Sequence, residues 1–174
     1  MEMPTTQTVT LTVNGSEALP IRKGIRPNMI CEPVHIQLDG RGNPKYLHHL
    51  VDEVRGWPHV QLHRPYADDP DTFSFRLEEV AIAADSSAFI RDREFARMLI
   101  ATPTIYLALP LVCAHWAIVR RWAEPHYPSS HGVMPPGVVV LYMPRDQEEL
   151  EVCYFLFSES YRVARKVAEQ TWAT

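Results

Sequence analysis

The chain has 174 residues, 46% of them hydrophobic and 22% charged, with a formal net charge of -4 at neutral pH. That length and apolar content suit one domain with a core of its own and exclude a disordered chain. Lys and Arg are scattered apart from Arg120-Arg121 and the Arg22-Lys23-Gly24-Ile25-Arg26 run, which leaves no phosphate-tracking basic face, so nucleic acid is not an expected partner. No run approaches the ~20 apolar residues of a membrane span, and Met1-Glu2-Met3-Pro4 lacks the charged start and apolar stretch of a secretion signal. A cytoplasmic protein without a membrane partner is expected. Cys31, Cys113 and Cys153 are too few and too dispersed for a disulfide framework or a thiolate metal site, and read as small core fillers.

Fifteen prolines punctuate the chain and make element boundaries readable. Thr8 to Val13 alternates like a strand. Pro44 opens a helix whose Leu47, Leu50, Val51 and Val54 share one face until Gly56. Strands are expected over Pro58 to Arg64, Thr72 to Leu77, Val80 to Ala83 and Thr104 to Leu109. Pro110 suits the first turn of a second helix, whose apolar stripe of Val112, Trp116, Val119 and Ala123 leads into a Pro-broken loop. Gly137 to Tyr142 is the most strand-like run, expected to be central. Asp146 with Glu149 forms a capping-box start for a last helix carrying Leu150, Cys153, Phe157, Tyr161, Ala164 and Val167 on its core face. The expected fold class is α+β, a single domain over residues 1–174 with an extended segment (1–42) and a core (43–170), in which helices pack on one face of a mostly antiparallel sheet.

The loop Arg121-Trp122-Ala123-Glu124-Pro125-His126-Tyr127-Pro128-Ser129-Ser130-His131-Gly132 gathers two imidazoles, a carboxylate and two aromatic rings. Such a set offers proton donors and acceptors that a packed core does not require. His126 reads either as a general acid or base or as a cap on the preceding helix; Glu124 either orients that imidazole or is a solvated charge. His131 is expected at the rim. Arg22 and Arg26 lie on one side of an extended segment, suited to hold a phenolate or carboxylate or to pair with acidic side chains. Trp116, Trp122 and Tyr142 are candidates for a flat aromatic ligand's platform as well as for core. The dispersed glycines exclude a dinucleotide-binding turn and a P-loop. Ser129 and Ser130 lack the strand-turn-helix setting of an activated serine, and neither His126/His131, His48/His49 nor His59/His63 has metal-ligand spacing.

Leu19-Pro20-Ile21-Arg22-Lys23-Gly24-Ile25-Arg26-Pro27 resembles the Leu-Pro-x-Arg-x-Gly-x-Arg-Pro stretch of fungal luciferases. Arg93-Glu94-Phe95-Ala96, Leu107-Ala108-Leu109, the Trp122 to His126 loop and Leu141-Tyr142-Met143-Pro144-Arg145-Asp146-Gln147-Glu148-Glu149 are similar to the same family in the same order. The resemblance runs from Leu19 to the end of the last helix. It implies a domain without organic cofactor or metal that handles an electron-rich phenol or pyrone, where the protein supplies a base, an oxyanion partner and a dry pocket. Where the luciferases carry His-x-His, this chain has Arg97-Met98-Leu99, followed by Thr102 and Tyr106. Arg97 is then an anion clamp or an ion-pair partner of Glu94, and Tyr106 lines the substrate site.

The resulting expectation is a cofactor-independent enzyme of aromatic or polyketide secondary metabolism that promotes cyclisation or isomerisation of a phenolic substrate. In it His126 moves the proton, Glu124 orients that imidazole, and Arg97 with Arg26 stabilises the oxyanion. A cofactor-free oxygenase acting as the luciferases do, and a non-catalytic binder of a small aromatic or polyketide-derived molecule, are the other two readings. The sequence leaves open whether the chain forms a homodimer.

Overall fold

The computed structural model describes residues 19–30, 35–38, 42–64, 71–81, 86–126 and 132–170. Six strands form an open, wholly antiparallel sheet in the order β3-β4-β5-β6-β8-β7. They are β3 (Val60–His63), β4 (Thr72–Leu77), β5 (Glu94–Leu99), β6 (Thr104–Ala108), β7 (Ala123–Pro125) and β8 (Val138–Leu141). A two-stranded hairpin, β1 (Met29–Ile30) with β2 (Ile36–Gln37), precedes them. Among the described residues the α-helices are α1 (Pro44–Val54), α2 (Leu111–Val119) and α3 (Gln147–Gln170). The α+β class stands. The expected strand over Thr8 to Val13 lies outside the described residues.

Alternation along the strands divides the sheet into two unlike faces. One presents Phe73, Phe75, Ala96, Met98, Ile105, Leu107, Val139 and Leu141, and α1, α2 and α3 all bury apolar side chains in the same core, although the stripe expected on α2 is not the buried one, since Val112 and Val119 are exposed. Leu47, Leu50, Val51 and Val54 come from α1, Cys113, Ala114 and Ala117 from α2, and Cys153, Leu156 and Phe157 from α3. Gly137 lets β8 come in close to β6, because a Cβ there would stand 2.1 Å from the Leu109 carbonyl oxygen.

The opposite face is mixed: Ser74, Arg76, Arg97, Thr104 and Glu124 make part of it polar, while Tyr106, Ala108, Val138 and Val140 form a second apolar cluster with Ile90, and a β-bulge adds Glu94 to the polar part. The register of β5 against β4 shifts between Phe75 and Arg76, so Phe75 faces Ala96 while Arg76 faces Glu94. In a regular strand, residues three apart point to opposite faces; the extra residue brings Glu94 and Arg97 to one face. Arg97 donates from Nε and Nη2 to the two Glu94 carboxylate oxygens at 2.7 and 2.6 Å. Glu94 is fully buried.

Several local expectations are corrected. Val80 to Ala83 is not a strand where it is described: Glu79–Ala81 is a 3-10 turn with Val80 exposed. The Glu78 amide donates to the His59 carbonyl oxygen and closes the β3/β4 ladder just before it. Ala123 does not continue α2. That helix stops at Val119 because Arg121 adopts φ 67° and the Trp122 amide donates to the Ala117 carbonyl oxygen, the left-handed termination that glycine usually signals. The next three residues are edge strand β7, where Pro125 ends pairing at no cost in ladder bonds. Strand β5 was not among the expected elements at all.

The extended 19–30 segment is pinned to α3. Arg22 donates from Nε and Nη2 to Glu149 and from Nη2 to the Met143 carbonyl oxygen, at 2.9 to 3.1 Å, with the two side chains 3% and 6% exposed. Arg145 also donates to Glu149 from its backbone amide and guanidinium, and the Asp146 side chain accepts from the Glu149 amide as the capping box requires. Burial raises the Glu149 carboxyl's pKa, but hydrogen bonds from Arg145 and Arg22 outweigh it and hold the value below the usual range. Removing one partner strands buried charge, so Glu149→Ala is expected to lower unfolding free energy by about 3–5 kcal/mol. Urea denaturation checks this; a loss under about 1 kcal/mol, the value of an exposed pair, would show that the segment is not held this way.

Candidate functional site

Cross-strand register lines up one row of side chains on the mixed face. His63 pairs with Ser74, Ser74 with Arg97, Arg97 with Tyr106, Tyr106 with Val140, and Val140 with Glu124. Directly paired residues point the same way, so strands far apart in sequence bring Arg97, Tyr106 and Glu124 together. His126, one residue past β7, lies with its ring edge-on to Tyr106 at 5.2 Å between centroids.

A residue that sequence reasoning did not single out completes the cluster. The His35 ring sits 5.0 Å from that of His126, tilted by 32°, and 5.8 Å from Tyr106. Its backbone is fixed where the Thr104 hydroxyl donates to the His35 carbonyl oxygen at 2.7 Å, and Gln37 accepts from the Met143 amide at 3.1 Å. The polar-apolar-polar order His35-Ile36-Gln37 is the only local trace of this, and it does not say which face the histidine meets. Nε2 of His35, Oγ of Ser74 and Nε of Arg76 are buried with no hydrogen-bond partner among the described residues, as are Nη1 of Arg22 and Nε of Arg120 elsewhere. Buried polar atoms are normally paired, so the Nε2 of His35, beside His126 and Tyr106, is a point where a ligand's polar group would be satisfied.

Electrostatics separate the titratable groups. Burial, helped by the neighbouring His35 and Arg97, pushes the His126 imidazole down to about 4. Burial also lowers His35, but there the Glu124 carboxylate works in the opposite direction. Tyr142, fully buried, donates its phenol to Glu124, and burial first and that bond second keep the phenol protonated far above its ordinary value. Near neutral pH the site thus holds two uncharged imidazoles beside the Arg97–Glu94 ion pair and Glu124.

The expected site residues divide accordingly. His126, Glu124, Arg97, Tyr106 and Tyr142 are brought together. Arg22 is not on this face: it serves the ion pair with Glu149 and lies over the Trp122 and Tyr142 rings. Arg26 donates to the Ile118 carbonyl oxygen, and its charge acts on the Tyr142 phenol against the burial that raises it. Trp116 and Trp122 belong to the helix-side core, Trp116 under Arg120 and Trp122 donating to the Pro20 carbonyl oxygen. His131, Tyr127, Ser129 and Ser130 lie outside the described residues. Among the described residues no group of three or more His, Cys, Asp or Glu side chains could hold a metal ion, and no helix is long and apolar enough to cross a membrane.

Comparison with protein-family models, curated proteins and solved structures finds no match, so the functional reading rests on these residues.

The displaced imidazole has a consequence for stability. Between pH 6.5 and about 4 the unfolded chain protonates His126 and the native chain does not, so stability falls as pH drops through that window. The full effect is of order 3 kcal/mol. His126→Asn should therefore lose less stability than the wild type between those two limits, by up to that amount, in urea titrations at stepped pH. Parallel pH dependences would rule out a buried neutral imidazole.

Proposed function

We propose that the chain is a cofactor-independent acid/base enzyme that converts a phenolic or enolic compound by a redox-neutral step such as ring closure or isomerisation. The observation that carries this reading is the pair of neutral imidazoles, His35 and His126, stacked beside Tyr106 on the mixed face with Nε2 of His35 unpaired. A neutral imidazole accepts or donates a hydrogen bond without the desolvation cost of a buried charge, which a proton-transfer site needs. Arg97 adjoins them to stabilise a phenolate or enolate as it forms. Glu94 keeps the guanidinium oriented, and Glu124 is held in turn by Tyr142.

The test is incubation with a panel of hydroxylated aromatics, pyrones and linear polyketide mimics, followed by mass analysis and an oxygen electrode. The expected product has the substrate's mass, or that mass less water, with no O2 uptake. A product gaining oxygen would replace this reading with oxygenation, and tight binding without product would leave a binding protein. On a turned-over substrate, His126→Ala should lower kcat by about 10²- to 10⁴-fold while KM changes little. Wild-type turnover in that variant would remove His126 from the chemistry.

A further inference from the structure

The geometry points to His35, not His126, as the group that takes the proton from the substrate hydroxyl, with His126 and Arg97 holding the oxyanion that results. This rests on the acid/base reading above and assigns the proton within it. The two rings are near neighbours, 5.0 Å apart and both beside Tyr106, but only His35 has a buried Nε2 without a partner among the described residues. The Glu124 carboxylate favours a proton on His35, whereas the Arg97 charge opposes one on His126. An imidazolium is stabilised by a nearby carboxylate and opposed by a nearby guanidinium, so a proton arriving at the pair settles on the ring beside Glu124. The Tyr142 phenol fixes one carboxylate oxygen of Glu124 and stays protonated itself, leaving the carboxylate's charge to act on His35. The groups facing the pair are therefore Glu124 from β7, Tyr142 past β8, Tyr106 from β6 and Arg97 from β5, with Glu94 behind Arg97.

The step balances without a further reagent. The substrate O–H bond breaks, its proton passes to Nε2 of His35, and the electron pair stays on oxygen as a phenolate or enolate between Arg97 and His126. Closure or isomerisation moves that pair to carbon, and His35 returns the proton to the product. The placement is firm because the backbone at His35 is held by Thr104 and its neighbour Gln37 by Met143. Two environments that pull like groups apart are the usual way one site assigns acid and base.

The experiment uses the wild-type chain labelled with ¹⁵N at histidine and titrated near neutral pH with 4-nitrophenol, whose phenolate absorbs separately from the phenol. Both ring nitrogens of His35 should move to imidazolium positions as the probe binds, those of His126 should stay neutral, and the bound probe should show its phenolate band. His35→Gln keeps a polar side chain but no base, so its bound probe should lose about tenfold or more of that band. A proton found on His126, or on neither ring, overturns the role of His35 and leaves the acid/base reading standing. An unchanged phenolate band in a folded His35→Gln does the same. Failure of 4-nitrophenol to bind the wild type at all overturns both.

Discussion

The site depends on one ion pair that a regular strand could not make. Glu94 is completely buried, and an unpaired carboxylate there would cost several kcal/mol. The β-bulge at Phe95 and Ala96 swings Glu94 and Arg97 onto one face, where the guanidinium meets both carboxylate oxygens. Arg97 is thereby held at a fixed point in the polar row. Its charge, acting with burial, is one reason the His126 imidazole stays neutral. A backbone irregularity thus becomes an electrostatic property three strands away, by way of the carboxylate that the bulge exposes to its partner. Replacing a buried pair with well-packed apolar side chains is often neutral or stabilising; it would not leave a cation beside the imidazoles.

The second support is the chain before α1. On the sheet face that the helices leave uncovered, Met29 packs against the Ile90, Tyr106 and Val140 cluster and His35 against Tyr106. Arg22 contributes by anchoring rather than by touching the imidazole cluster. Its bonds to Glu149 and Met143 fix the start of this segment to α3. The same arginine lies over Tyr142, whose phenol holds Glu124, so the anchor and the site share a wall. An arginine that sequence reasoning offered for substrate is thus committed to the scaffold behind Tyr142 and Glu124.

How much of this was legible follows from how local each signal is. Helix α1 is written in its apolar spacing, with Asn43 accepting from the Lys45 amide just ahead of Pro44, and the Asp146/Glu149 cap is made as the motif implies. Strand β4 and β8 were legible because β-branched or aromatic residues run between punctuating residues. Strand β5 was not, because Glu94-Phe95-Ala96-Arg97-Met98-Leu99 departs from alternation where the bulge falls. The end of α2 was overshot because Arg121 stands where a glycine would have announced the left-handed turn. Glu124 and His126 were found from their own neighbourhood, although Glu124 lies on an edge strand rather than in a loop. His35 was not found, since what distinguishes it is the docking of a two-residue hairpin on a sheet it precedes by more than twenty residues.

Tyr142 shows why the carboxylate and the imidazoles can coexist. By donating its phenol, Tyr142 disperses part of the carboxylate's charge into a hydrogen bond. Burial opposes a proton on both rings, with Arg97 adding to it at His126 and Glu124 working against it at His35. On the proposed acid/base reading, a substrate hydroxyl would bring its own developing charge and a hydrogen bond to the buried Nε2 of His35, and the proton would move only when there is an oxyanion for Arg97 to hold.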